Sequence, residues 1–274
     1  HDLLASGDDD AMLGFVLSQL REPDAFIDKV RALYGSTDES FDTLAFLDGR
    51  VFERYSRPLV HDGAEPGRVW SFRDVSERKA FEARLLEMAN HDPLTGLYNR
   101  RRFSEEIEHQ LAVARRNDLV CAILFLDLDQ FKDVNDSRGH RAGDELLVEL
   151  ASLLRSCVRD SDVIARIGGD EFSILLSHTS DDDAMAMATR ILTTIRAHGF
   201  VAGGTQVAVT ASIGVAMFPK HADSPDEMLS SADLAMYQAK ETGRNRVCLF
   251  DSGLDWQQAV ESRVWWHHRI RVAL

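Results

Sequence analysis

Cysteine is scarce: Cys121, Cys157 and Cys248 are the only three in 274 residues, far apart and each among apolar neighbours. An odd, scattered set excludes a disulfide framework and predicts reduced core thiols, the condition of a cytoplasmic protein. Long apolar runs are missing too. The longest, Leu119 to Leu126, has eight residues, against the ~20 that a membrane-spanning helix needs. Positive charge is the minority sign, 31 Lys and Arg against 45 Asp and Glu, for a formal net charge of −14. With no broad positive field to draw in a nucleic-acid backbone, duplex DNA or RNA is excluded as a partner, and a phosphate ligand has to be held by local basic groups or a metal. No G-x-x-x-x-G-K-[ST] loop occurs, which disfavours a P-loop hydrolase, and none of the ten histidines lies in an H-E-x-x-H zinc pattern. The first residue is His1 and no basic-then-apolar leader follows it, which reads as a piece of a longer chain.

What is present is globular in composition, 45% apolar and 28% charged, and long enough for roughly two domains. Pro23 opens a helical pattern with Phe26, Val30 and Leu33 on one face, ended by Gly35. Short strands are predicted at Leu44–Leu47 and Val51–Phe52 around the turn Asp48-Gly49, and at Arg57–Val60 and Val69–Phe72 around Asp62-Gly63. Residues 76–91 turn to Glu, Arg, Lys and Leu without Gly or Pro, with Phe81, Leu85 and Met88 spaced four then three. That spacing suits a short parallel coiled coil and equally a helix lying on its own domain.

Beyond residue 92 helical and strand periods alternate, predicting an α/β layered domain. The helices are a stretch capped by Asn99 and running to about Arg116, then Gly143–Val158, Asp182–Ala197 and Pro225–Thr242. The strands are Leu119–Asp127, Val163–Ile167, Phe172–Leu176, Val207–Met217 and Arg246–Phe250. A tail from Ser252, with Trp256, Val260 and Val264 at four-residue spacing, starts a further helix.

The chemistry concentrates in two acidic clusters. The apolar strand Leu119–Asp127 ends in Asp127 and Asp129, which the period of two sends to one face, beside a loop of free backbone amides. Such carboxylates are hard oxygen ligands for Mg²⁺, which binds phosphates through one or two of them. The second cluster, Ala165-Arg-Ile-Gly-Gly-Asp-Glu-Phe172, reads as strand, tight turn, strand, with Gly168-Gly169 making the turn and Asp170 and Glu171 at its tip. Brought together, the two clusters make a divalent-metal site for phosphoryl chemistry.

The residues that carry these clusters resemble the GGDEF-domain diguanylate cyclases. Four ordered motifs carry the likeness: Asp92-Pro-Leu-Thr-Gly-Leu-Tyr-Asn-Arg100, the Asp127 to Asp144 segment, Gly168 to Phe172, and Ala239-Lys-Glu-Thr-Gly-Arg-Asn245. The resemblance implies an α/β (α+β) fold of the ferredoxin-like nucleotidyl-cyclase type, with a central, mainly antiparallel sheet flanked by helices. It also implies an activity: two GTP condense into cyclic di-GMP with release of two pyrophosphates, in a homodimer that uses Mg²⁺ or Mn²⁺. Carried over by position, Asp127, Asp170 and the Leu128 carbonyl look like metal ligands. Glu171 looks like a further ligand or the base. Lys132 joins Asp170 and Glu171 as catalytic. Asn135 and Asp144 match the guanine-reading pair, with Phe131 also in the substrate set, and Lys132, Lys240 and Arg244 match phosphate contacts. An aspartate suits guanine, which offers N1–H and an exocyclic amine where adenine lacks that donor pattern. Arg159 and Asp162, as R-x-x-D, and Arg190 match the product-inhibition site.

Residues 69–78, Val-Trp-Ser-Phe-Arg-Asp-Val-Ser-Glu-Arg, resemble the last strand and exit of PAS sensory domains, so residues 1–75 are read as a partial, small α+β PAS-like sensory domain. The expected order is that fragment, a connecting signalling helix at 76–91, the cyclase domain at 92–251, and at 252–274 a linker helix similar to the lead-in of EAL phosphodiesterase domains. No Glu-Ala-Leu occurs in the chain. A rival reading from another class is a non-catalytic module that binds GTP or cyclic di-GMP and controls a neighbouring phosphodiesterase domain.

Overall fold

A computed structural model describes residue 14 and residues 16–59 and 67–252. The expected turn at Asp62-Gly63 and the tail helix beyond Ser252 lie outside the described residues. The chain divides into two compact units, residues 1–87 and 88–274.

In the first unit α1 (Pro23–Tyr34) starts on its proline and gives way at Gly35, and β1 (Ser40–Ala45), β2 (Val51–Leu59) and β3 (Gly67–Asp74) form an antiparallel sheet in that order. The two strands expected within 51–60 are one. Its polar middle looks like loop in the sequence, but Arg54 is buried, donating to Asp42 from Nε (2.9 Å) and Nη2 (2.5 Å), with its guanidinium over the rings of Phe26 (4.7 Å) and Trp70 (5.2 Å). Pro58 is tolerated because pairing with β1 ends at Ser56, leaving β2 an edge there. Next comes α2 (Ser76–Asn90), on which Phe81, Leu85 and Met88 are 60%, 49% and 73% exposed.

In the second unit α3 (Arg100–Asn117) is capped by Asn99, whose side chain accepts the Arg102 N–H at 3.0 Å. There follow β4 (Cys121–Leu128), α4 (Phe131–Arg138), α5 (His140–Cys157), β5 (Val163–Gly168), β6 (Glu171–Leu176), α6 (Asp181–Ala197), β7 (Phe200–Ala202), β8 (Thr205–Val207), β9 (Ala211–Phe218), α7 (Pro225–Glu241) and β10 (Arg246–Leu249). The main sheet runs β10-β9-β4-β6-β5, antiparallel except for the β10–β9 pair. β4 and β9 are buried along their whole length, as central strands covered on both faces must be. The period of two sorts β4. Leu124, Leu126 and Leu128 pack with Leu146 and Leu150 of α5 and Ile191 and Ile195 of α6. Ile123 and Phe125 face the other way, onto Phe103 and Ile107 of α3 and Met228 and Met236 of α7. Helices therefore flank a mostly antiparallel sheet on both faces.

Three local expectations are corrected. The segment after β4, read as loop, contains α4, whose Phe131 and Val134 rest on the core. The single strand expected over Val207–Met217 is interrupted at 208–210, where the Thr210 carbonyl accepts the Asp129 N–H (2.9 Å). The little β7–β8 hairpin went unread, three residues a side around Gly203-Gly204.

Candidate active site

β4 delivers Asp127 to the end of the sheet on the α7 face. In register it lies between Glu171 of β6 and Ser212 of β9. Asp127 is only 6% exposed, and its carboxylate meets Lys240 Nζ, on the last turn of α7, at 2.7 Å. Burial first, and then the nearby negative charge of Asp170, push its pKa up to about 6, while Lys240 pulls it down. On the same helix Asp233 is half-buried, with its Oδ1 shut off from solvent and unpartnered, and burial raises its pKa to about 7 against the pull of Lys240.

Asp170 comes from the turn between β5 and β6. The expected Gly168-Gly169 turn is displaced by one residue: Gly168 still pairs with Glu171, and the turn is Gly169-Asp170, so Asp170 is at the tip while Glu171 opens the strand. Only Gly169 takes the left-handed φ, at +52°. Arg166 holds this turn. Its Nε and Nη2 donate to the Gly169 carbonyl (2.9 and 2.8 Å), and Nη1 donates to both oxygens of Asp92 (3.1 and 3.2 Å). Asp92 in turn accepts from the Thr95 N–H and hydroxyl (2.9 and 2.7 Å). Burial pushes the Asp92 pKa up, but these hydrogen bonds outweigh it and leave the pKa below the ordinary value.

Asn135 and Asp144 sit where α4 meets α5, and Gly143 is what lets the two helices close. A Cβ there would come within 2.0 Å of Asn135 Oδ1 and 3.1 Å of the Phe131 ring. Lys132 and Asp144 are exposed, Phe131 is half-buried, and Arg244 lies exposed in the loop after α7. Arg159 and Asp162 form a turn before β5. The Asp162 carboxylate accepts the N–H groups of Arg159 (3.1 Å) and Ser177 (3.3 Å). Arg190 on α6 donates to the Cys157 carbonyl at the end of α5, two residues before Arg159.

The structure thus joins Asp127, Asp170, Glu171 and Lys240 at one sheet end, with α4 beginning three residues beyond Leu128. It parts Asp129 from the ligand role expected of it. Both Asp129 oxygens are taken by hydroxyls, Ser212 and Thr210, each at 2.7 Å. Among the described residues no three Asp, Glu, His or Cys side chains converge as a metal cage. The buried Asp127, close to the half-buried Asp170 and opposed by one lysine, nevertheless fits Mg²⁺, which takes one or two protein carboxylates and fills its shell with phosphate and water.

The comparisons decide the family. A family model described as "Diguanylate cyclase, GGDEF domain" matches residues 89–246. The chain belongs to the GGDEF-domain diguanylate cyclase family. Similar curated proteins include the cyclic di-GMP phosphodiesterase PdeR of Escherichia coli, 37% identical over 223 residues, covering 80% of this chain and 33% of that protein. The probable diguanylate cyclase DgcE of the same organism is 40% identical over 190 residues, covering 69% of this chain and 17% of its own. The chain therefore spans a third or less of these two relatives. Among solved structures, the GGDEF domain of TpbB from Pseudomonas aeruginosa aligns with a TM-score of 0.57 at 41% identity, over 59% of this chain and 94% of that one. The coiled coil and GGDEF domain of DgcB from Caulobacter crescentus, in complex with c-di-GMP, aligns at 0.60 with 27% identity, over 64% and 93%.

Sequence reading of this GGDEF domain missed the Arg166–Asp92 clamp and the half-buried Asp233. The clamp carried a signal: an arginine two residues before the Gly-Gly turn alternates into a strand that is otherwise apolar. Asp233 carried none, since a lone acid on a helix reads as a solvated face.

Proposed function

We propose that this chain is a metal-dependent diguanylate cyclase. The observation that supports it most is the meeting of Asp127 with Asp170 from a turn 43 residues away, close enough for one charge to raise the other's pKa and with Lys240 2.7 Å from the first. A divalent cation bound by Asp127, Asp170 and the Leu128 carbonyl would offset triphosphate charge and polarise the α-phosphorus. Lys132, Lys240 and Arg244 hold the phosphates, and Asn135 and Asp144 read the guanine edge. Glu171 is a further ligand or takes the proton from a 3′-hydroxyl. Each step forms an O3′–P bond and breaks the bond to the β-phosphate, so two steps release two pyrophosphates. One nucleotide per domain cannot close the ring, so two chains meet face to face, and the apolar stripe of α2 is the surface we assign to holding them. In this reading the upstream PAS-like unit sets the orientation of α2, and Arg159, Asp162 and Arg190 bind product.

Incubation with GTP and Mg²⁺ should yield cyclic di-GMP and pyrophosphate, and Asp127→Asn should lower the rate at least about a hundredfold. Wild-type chain that forms neither product at any concentration overturns cyclase activity. The relatives named as phosphodiesterases support a second reading, a domain that binds GTP or cyclic di-GMP and governs a neighbour. GTP binding without turnover favours it.

A further inference from the structure

Asp129 is bonded more fully than a carboxylate at a strand's end requires. Oδ1 accepts the Ser212 hydroxyl (2.7 Å), and Oδ2 accepts both the Thr210 hydroxyl (2.7 Å) and the backbone N–H of Asn245 (3.0 Å). The Asp129 N–H donates to the Thr210 carbonyl (2.9 Å). One side chain therefore ties the end of β4 to the start of β9 and, across 116 residues, to the loop between α7 and β10.

That loop has an unusual backbone. Gly243, Arg244 and Asn245 follow one another at φ of 122°, 59° and 47°. The last two carry side chains, for which the left-handed region is unfavourable, and such conformations persist only where their surroundings over-determine them. Two bonds do so here. The Arg244 N–H donates to the Ala239 carbonyl (2.9 Å), fastening the loop to the end of α7, and the Asn245 N–H donates to Asp129, fastening it to the sheet.

We infer that Asp129 is a positioning residue: by fixing Asn245 it holds the left-handed backbone that directs Arg244 toward the nucleotide's phosphates. The inference rests on the nucleotide site proposed above. It also bears on why an acid two residues from Asp127 is disfavoured as a ligand, because three donors already take most of the acceptor positions of its carboxylate.

The test is equilibrium binding of a non-reacting GTP analogue with Mg²⁺ to the full chain, its Asp129→Asn, Arg244→Ala and double variants, and Asn245→Gly, with thermal midpoints for each. Asn keeps the size of the side chain but replaces one acceptor oxygen with an amino group. Asp129→Asn and Arg244→Ala should each weaken binding about tenfold. The double variant should bind within about twofold of Arg244→Ala alone, because both act through one guanidinium. Asn245→Gly keeps the N–H and should stay within about threefold of wild type. Hydrogen exchange at the Asn245 amide should quicken at least about tenfold in Asp129→Asn without ligand. Wild-type affinity in Asp129→Asn, losses that multiply in the double variant, or unchanged exchange overturns the inference. A merely structural role lowers the midpoint and leaves the losses independent. Wild-type chain that takes up no nucleotide sinks the proposed site itself, a result distinct from wild-type binding that Asp129→Asn leaves unaltered.

Discussion

Asp127 and Asp233 are acids that the folded chain keeps protonated to higher pH than the unfolded chain does, and this has a definite sign. Their contribution to stability is complete below about pH 4, where both states are protonated, and is lost as pH rises through about 6 for Asp127 and about 7 for Asp233. The unfolding free energy from denaturant titrations in chelator should therefore fall from pH 5 to 7.5, by on the order of a few kcal/mol in all, and Asp233→Asn should flatten that fall. Asp92, held below its ordinary value, acts oppositely, and only below about pH 4. Gly143 offers a second test at this scale. A methyl group there would strike Asn135 Oδ1 at 2.0 Å, the tip of a side chain that can swing away. Gly143→Ala should thus weaken GTP binding about tenfold while moving the thermal midpoint by only about 2–4 °C, read by titration and a thermal melt.

The elements show why some of the fold was legible and some was not. β4, α5 and α7 announce themselves because each buries a face that repeats at its own period, Leu124-Leu126-Leu128 at two and Leu146-Leu147-Leu150-Leu154 at 3.6. α4 hides because Lys132, Asp133, Asn135 and Asp136 leave only Phe131 and Val134 to report it. β7 and β8 hide because three-residue strands hold no period. Arg166 belongs to this scale, since it joins the segment after α2 to the turn bearing Asp170. Its side chain and that of Asp92 are 13% and 18% exposed, so removing the arginine strands a partly buried carboxylate. Arg166→Gln should cost about 2–3 kcal/mol, lowering the melting temperature by roughly 5–10 °C.

For the whole molecule, the proposed cyclase reaction needs two nucleotide-loaded domains opposed, and the exposed stripe of Phe81, Leu85 and Met88 on α2 is the surface proposed to hold them. The specific rate should rise with protein concentration. Leu85→Asp, a change at a position 49% exposed, should raise the concentration of half-maximal rate about tenfold with a near-normal melt, as sedimentation and rate measurements can show together. The acidic clusters could be read in advance because a motif states which residues are present. What no motif states is how acids and bases pair before substrate arrives.

That pairing has a consequence for the order of binding. Lys240 rests on Asp127 at 2.7 Å, so if Asp127 holds the cation and Lys240 a phosphate, as proposed, the lysine stands in for that cation in the ligand-free chain. A lone cation would then have to displace it into solvent, and a lone triphosphate would have to draw it from an opposite charge. Taken up together, the anion would receive the ammonium and free the carboxylate for the cation, so each guest would improve the other's reception by an equal factor.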